Sequence, residues 1–316
     1  PSWLAAISVC VFCSFFTVIS FVLQKRAVTA KGKQWRVGDI VLSWQWLAGL
    51  MLLFTGIPGD LLAYSLAPMS LTTPLSGISV ALNTVIAPYL LGERLQPWVD
   101  VPATILIVQG AALTSVAGVH QDREFSMQMM WELLIAPTTA SYLLVTLALG
   151  LLCIAYMRRF RKQIAEAALE HADKPKVLEM LLPAVTAAVC AAYSNIGLKA
   201  LGVMLRTGFK GFSTGMVLTF SWVTVSVFAA LVQLNFVNRG LRLYQQTVFL
   251  PIYKSLLIVS NTVAGLVFFE EYKQLTASPM WFALFLCGVG SITVGIGLFR
   301  FRHEQVGAGQ EPLLGA

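Results

Sequence analysis

The feature that most constrains this chain is its succession of apolar runs, each about as long as a bilayer core is thick. A helix needs roughly 20 apolar residues to cross that core. Nine such spans are predicted, over about 2–23, 44–67, 69–92, 98–118, 139–157, 180–204, 214–241, 246–270 and 281–300. Of the 316 residues, 57% are hydrophobic and only 12% charged, against about 25% charged in soluble domains. A soluble fold would expose much of that apolar surface to water, which excludes soluble enzymes, nucleic-acid binders and secreted disulfide scaffolds. The expected fold class is an all-α membrane protein of about nine transmembrane helices, whose first partner is the lipid bilayer.

The formal charge of +7 does not point to nucleic acid, because the cations stand in short clusters between apolar runs. With the N-terminus outside, the clusters at 25–36, 158–176, 239–242 and 300–302, together with Arg94, fall on one face. Only Arg123, Arg206, Lys210 and Lys273 fall on the other. Cytoplasmic loops carry the excess of Lys and Arg, so the expected C-terminus is cytoplasmic. Cutting 44–92 into three pieces around Pro58–Asp60 would put the two richest clusters on opposite faces. Cys10, Cys13, Cys153, Cys190 and Cys287 all lie within apolar runs, so none is expected in a structural disulfide. Cys10 and Cys13 have redox or metal spacing, but no His or acid is near in sequence, and they are read as small buried hydrophobes. The chain begins at Pro1, so residues are expected to precede it. The first run is too long for a signal h-region and is read as a permanent span.

An internal repeat is legible. Pro74 and Pro251 stand 177 residues apart, as do Glu93 and Glu270, and Gly118 and Gly295. The same offset sets Asn83-Thr84 beside Ser260-Asn261, while Lys25 and Lys199 correspond with a slightly different one. The expected organisation is a first four-helix repeat over 1–118 and a second over 180–302. Between them, 119–179 supplies a loop, an extra span and a cytoplasmic linker, and 303–316 forms a Gly-rich tail expected to be disordered. A shift of five spans inverts the second unit. Inverted repeats are typical of secondary transporters, with substrate bound near the midplane between them.

An ionisable residue inside a span is costly and is a functional hypothesis by default. Asp60 is the clearest acid, following Gly56, Pro58 and Gly59, which are expected to loosen the helix; Tyr64 lies one turn on. If the helix ended at Pro58, Asp60 would sit at the outer surface. Lys254, next to Tyr253, is the clearest base. It could snorkel, pair with Asp60 or attract an anionic solute. Asn83, Asn235, Asn238 and Asn261 either line a pathway or tie helices together by hydrogen bonds. Glu93 and Glu270 are expected to cap span ends or meet loop cations, and Gly110, Gly118, Gly288, Gly290, Gly295 and Gly297 to permit close packing. No histidine lies in a span, and neither a nucleotide-binding P-loop nor a catalytic constellation is present. An enzyme is not expected, nor is a resident cofactor.

One ordered set of motifs does resemble a known family. Ala63-Tyr64, Ala67-Pro68, Thr73-Pro74-Leu75 and Ser79-Val80, closing on Glu93-Arg94-Leu95, are similar to the NIPA-type magnesium transporters of the drug/metabolite transporter superfamily. The second half agrees through Gln233-Leu-Asn235, Asn238-Arg239-Gly240-Leu241 and Pro251-Ile252-Tyr253. The resemblance covers about residues 5 to 300. It implies magnesium as transported substrate and a plasma or endosomal membrane. It also exposes two departures. Where the family carries a Glu one turn before an Asn, this chain has Ile57 and Asp60, and Lys254 stands where a second aromatic is usual. The leading expectation is magnesium transport by alternating access, with Asp60 as the charged metal ligand and Asn83, Asn235, Asn238 and Asn261 as amide partners. The alternatives are a carrier of an organic or anionic solute using Lys254 with Tyr253, and a non-transporting membrane scaffold.

Overall fold

The computed structural model describes residues 2–30, 43–66, 72–117, 127–159, 177–207, 214–275 and 279–308, and all regular elements among them are helical. In chain order these are α1 (Ser2–Ala30), α2 (Trp44–Leu66), a 3-10 turn (Thr73–Gly77) leading into α3 (Ile78–Leu91), α4 (Pro97–Ala117), α5 (Met127–Ile135) and α6 (Pro137–Arg159). The second half holds α7 (Val177–Thr207), α8 (Thr214–Leu243), α9 (Gln246–Phe268), α10 (Tyr272–Leu275) and α11 (Pro279–Ala308). All but α3, α5 and α10 are long and apolar enough to cross a membrane, giving eight such helices among the described residues.

The third predicted span, 69–92, is broken. Its α-helical part has 14 residues, about 21 Å at 1.5 Å per residue, which is short of a bilayer core of roughly 30 Å. Pro74 removes a backbone donor at the start, and the chain enters through the 3-10 turn. At the far end Gly92 adopts φ 66° and donates its N–H to the Pro88 carbonyl. That left-handed residue ends α3 and sends Glu93 sideways.

The span expected over 44–67 passes through Pro58, as read. Helix α2 continues through it to Leu66, so Asp60 lies within the helix and the helix does not end early. Prolines are tolerated in membrane helices when neighbours re-satisfy the freed groups. Gly59 serves packing: a Cβ there would strike the sulfur of Cys13 on α1.

The helix pairings occur twice. α1 packs along α2 as α7 packs along α8, α1 meets α3 as α7 meets α9, and α7–α2 is matched by α1–α8. The remaining partners are each other's counterparts: α4 packs along α11, and the 3-10 turn with α3 packs against α9. Both of these pairs are antiparallel. A Cβ on Gly288 would meet the Gly110 carbonyl at 2.8 Å, and one on Gly295 the Ala103 carbonyl at 2.9 Å, so the two helices pass in opposite directions. Likewise Gly77 lies near Ile258 while Asn83 bonds Gln246. Equivalent helices that run antiparallel belong to inverted units.

Backbone contact at Gly110, Gly288 and Gly295 bears out the close-packing expectation there. Gly290 and Gly297 face open space, so they do not serve it, and Gly118 lies outside the described residues. Helix α6 packs on α7 and α9 and is held by the Tyr193 hydroxyl, which donates to the Leu143 carbonyl at 2.5 Å. The stretch before the extra span forms the short helix α5, Met127–Ile135. Helix α11 runs on to Ala308, so its backbone continues past 302, where the tail is expected to begin. The core gathers Phe21, Ile107, Leu241, Phe249, Ile252 and Tyr253 around α9.

Candidate functional site

Two charges from opposite halves of the chain lie within electrostatic reach of each other. Asp60 has protein around it, yet its own surface is exposed rather than packed into the core. Helix α1 flanks it. Cys13 weakly donates its thiol to the Gly56 carbonyl at 3.9 Å, and Cys10 and Cys13 both lie within electrostatic reach of the carboxylate. The expectation that these thiols have no acid beside them is therefore corrected: the acid comes from another helix. Lys254 reaches Asp60 electrostatically from α9. Its stem is buried, and its ammonium stands 5.6 Å from the Phe21 ring, within the range of a cation–π contact. Among the described residues, Asp60 and Lys254 form no ion pair within 4.0 Å, and neither makes a hydrogen bond.

Closed ion pairs stand at both ends of α9. At its N-terminus, Glu93 accepts the backbone N–H groups of Gln246 and Thr247, one on each carboxylate oxygen, at 2.8 Å. Acids are favoured there because the first N–H groups of a helix are unsatisfied and carry partial positive charge. Lys25 lies 3.9 Å from Glu93 and donates to the carbonyls of Leu241 and Tyr244 at the end of α8. One cluster thus ties α1 and α3 to α8 and α9. Beyond the other end of α9, Lys199 pairs with Glu271 at 3.6 Å and lies over the Phe269 ring. Glu270, the residue matched to Glu93 by the sequence offset, instead accepts from Lys273 at 2.6 Å. The repeat holds, but the lysine's partner is one residue further on.

The amides divide. Asn83 is satisfied: it accepts from the Gln246 side chain at 2.9 Å and donates to that residue's carbonyl at 3.4 Å. It ties α3 to the first turn of α9. Tyr253 accepts from Gln233 at 2.7 Å, which holds the turn that carries Lys254. Asn261 is 0% exposed, and neither its oxygen nor its nitrogen has a partner. The Asn238 oxygen is likewise buried and unpaired. Asn235 is exposed on α8, so the structure does not bring it into the core. The backbone of Tyr64 lies in α2, but its side chain falls outside the described ones. Among the described residues no three His, Cys, Asp or Glu side chains converge as metal ligands.

The family profile described as "Magnesium transporter NIPA" matches residues 2–305. The chain belongs to the NIPA magnesium transporter family. NIPA relatives in plants and a mammal match it along nearly its whole length. It is 23% identical to the probable magnesium transporter NIPA6 of Arabidopsis thaliana, covering 92% of this chain and 86% of that protein. The probable magnesium transporter NIPA1 of the same plant is also 23% identical, over 96% of this chain and 88% of its own length. The magnesium transporter NIPA3 of Pongo abelii is 23% identical over 93% of this chain and 69% of that protein. No solved structure matches. As a NIPA-family transporter the chain is a multi-pass membrane protein and not an enzyme. Sequence reasoning expected Glu93 to cap a span end or meet a cation, and it does both at the start of α9. It did not find the Glu271 partner or the Cys10–Cys13–Asp60 proximity, which only the fold could supply.

Proposed function

We propose that this chain carries magnesium across its membrane by alternating access, with Asp60 as the electrostatic anchor of the ion. The observation that carries this reading is the exposed, unpaired Asp60 carboxylate inside a helix of an inverted-repeat transporter fold. Magnesium loses water reluctantly and is usually bound through one or two carboxylates with several waters retained. A single acid on an open wall suits a hydrated ion. Asn261 and Asn238 offer unpaired amide groups further along, and Tyr253 positions the neighbouring lysine. The ion pairs at the two ends of α9 serve as closures, one for each direction of access. The N-terminus is placed outside and the C-terminus in the cytoplasm of a plasma or endosomal membrane, so that the membrane potential draws the cation inward.

One specific observation favours a second reading. Lys254 in the same space would attract an anionic or organic solute, with Tyr253 beside it. Uptake of magnesium into proteoliposomes with an internal indicator and an inside-negative potential separates the two. Wild type is expected to transport and Asp60→Asn to lose at least about tenfold of the rate, the order expected when one unit charge leaves a partly aqueous site. Uptake indifferent to Asp60 sinks the site. A folded wild type that moves no magnesium sinks the substrate and directs the screen to organic anions.

A further inference from the structure

Lys254 poses a problem that the magnesium reading leaves open. A fixed ammonium beside a cation site weakens binding, yet this one is built in with care. Its stem is buried, its turn is held by the bond from Gln233 to Tyr253, and its head meets the Phe21 ring. The lysines that serve architecture look different here: Lys25 and Lys199 each stand within 4.0 Å of a glutamate. Lys254 has no such partner, although Asp60 is within its electrostatic reach. A structural lysine in a membrane interior closes on its acid, because an unpaired charge there is expensive. An open pair leaves room between the charges.

We infer that Lys254 is a specificity-determining residue, an attenuator that sets the Asp60 site to accept divalent and refuse monovalent cations; this rests on the magnesium reading. The potential at the site is the sum of a nearer negative charge and a further positive one. An ion's binding energy is that sum multiplied by the ion's own charge. With Lys254 present the sum is small, so a hydrated monovalent ion gains too little to offset the entropy lost on being held, while a hydrated divalent ion, keeping its water, gains twice as much. Without the lysine the potential deepens for both. Monovalent ions, which are far more abundant in physiological solution, would then occupy the site and compete. The aromatic contact suits this role, since it steadies the ammonium without neutralising it, as a carboxylate would.

The experiment compares wild type, Lys254→Met, Lys254→Gln and Lys254→Arg in proteoliposomes. It reads the half-saturating magnesium concentration with and without potassium chloride at constant ionic strength, choline replacing potassium. In choline, Lys254→Met and Lys254→Gln are expected to lower the half-saturating concentration about tenfold, the scale of one unit charge acting through a partly aqueous gap. Potassium is expected to raise it again in those two variants and to leave wild type and Lys254→Arg unmoved. Size-exclusion profiles check folding, and the two neutral variants guard against failure of either. Neutral variants that transport with unchanged affinity and no potassium competition overturn the inference while leaving the magnesium reading intact. An arginine variant that behaves like methionine also overturns it, because the charge would then not be the cause. Absence of magnesium uptake by folded wild type overturns both.

Discussion

Asn261 is enclosed in α9 with both amide atoms unpaired. A buried polar group left without a partner costs about 1–3 kcal/mol, so architecture alone gives no reason to keep it. Asn261→Leu, close in volume, is therefore expected to leave the unfolding temperature in detergent unchanged or raised, and to reduce magnesium uptake at least about tenfold, a change of 1.4 kcal/mol. A variant that melts lower and still transports would assign the amide to packing instead. Sequence exposed residues of this kind singly. Asp60 and Lys254 stood out because charge is rare in apolar runs, and both were legible without any structure. Their coming within electrostatic reach was not, since it depends on how helices from distant parts of the chain pack together. The thiols of Cys10 and Cys13 show the same limit: nothing near them in sequence hints that a carboxylate arrives from α2.

At the scale of elements, the spans followed from hydrophobic length, including the passage of α2 through Pro58, which a packed membrane interior tolerates. The break in the third span did not, because length alone does not show that the chain enters at Pro74 through a 3-10 turn. Glycines show what periodicity cannot supply, namely which face meets a neighbour. Gly110 and Gly288 sit where α4 and α11 touch backbone to backbone, whereas Gly290, two residues on, faces outward. Gly288→Ala is expected to destabilise the protein by about 1–3 kcal/mol, the usual penalty of overpacking. Gly290→Ala should be neutral or stabilising, since alanine is the better helix former by about 1 kcal/mol. Thermal unfolding of the two purified variants side by side decides it, and equal melting temperatures would refute the crossing.

At the scale of the whole molecule, the cluster at the start of α9 joins the halves. Lys25 and Glu93 come from the first, while the carbonyls of Leu241 and Tyr244 and the N–H groups of Gln246 and Thr247 come from the second. Both side chains are largely buried. Breaking a buried pair by removing one member costs about 3–5 kcal/mol, more than removing both. Lys25→Met and Glu93→Gln are each expected to lower stability, and the double variant to lose less than the sum by at least about 1 kcal/mol. Additive losses in the double-mutant cycle would show that the two act independently. The duplicated offsets in the sequence announced this symmetry and match Glu93 with Glu270, yet Lys199 meets the next residue, Glu271, in the turn after α9, where Glu270 has φ 53°.

Helix α6 has a consequence of another kind. A unit of four crossings returns the chain to the side on which it began, so a plain tandem duplication would set both copies the same way up. One further crossing turns the second copy over. Helix α6 does this while presenting Leu144, Leu151 and Leu152 outward. It is thus the adaptor between two like units of opposite orientation in the membrane, and its outward face, which meets no other described helix, is where a change of side chain disturbs packing least.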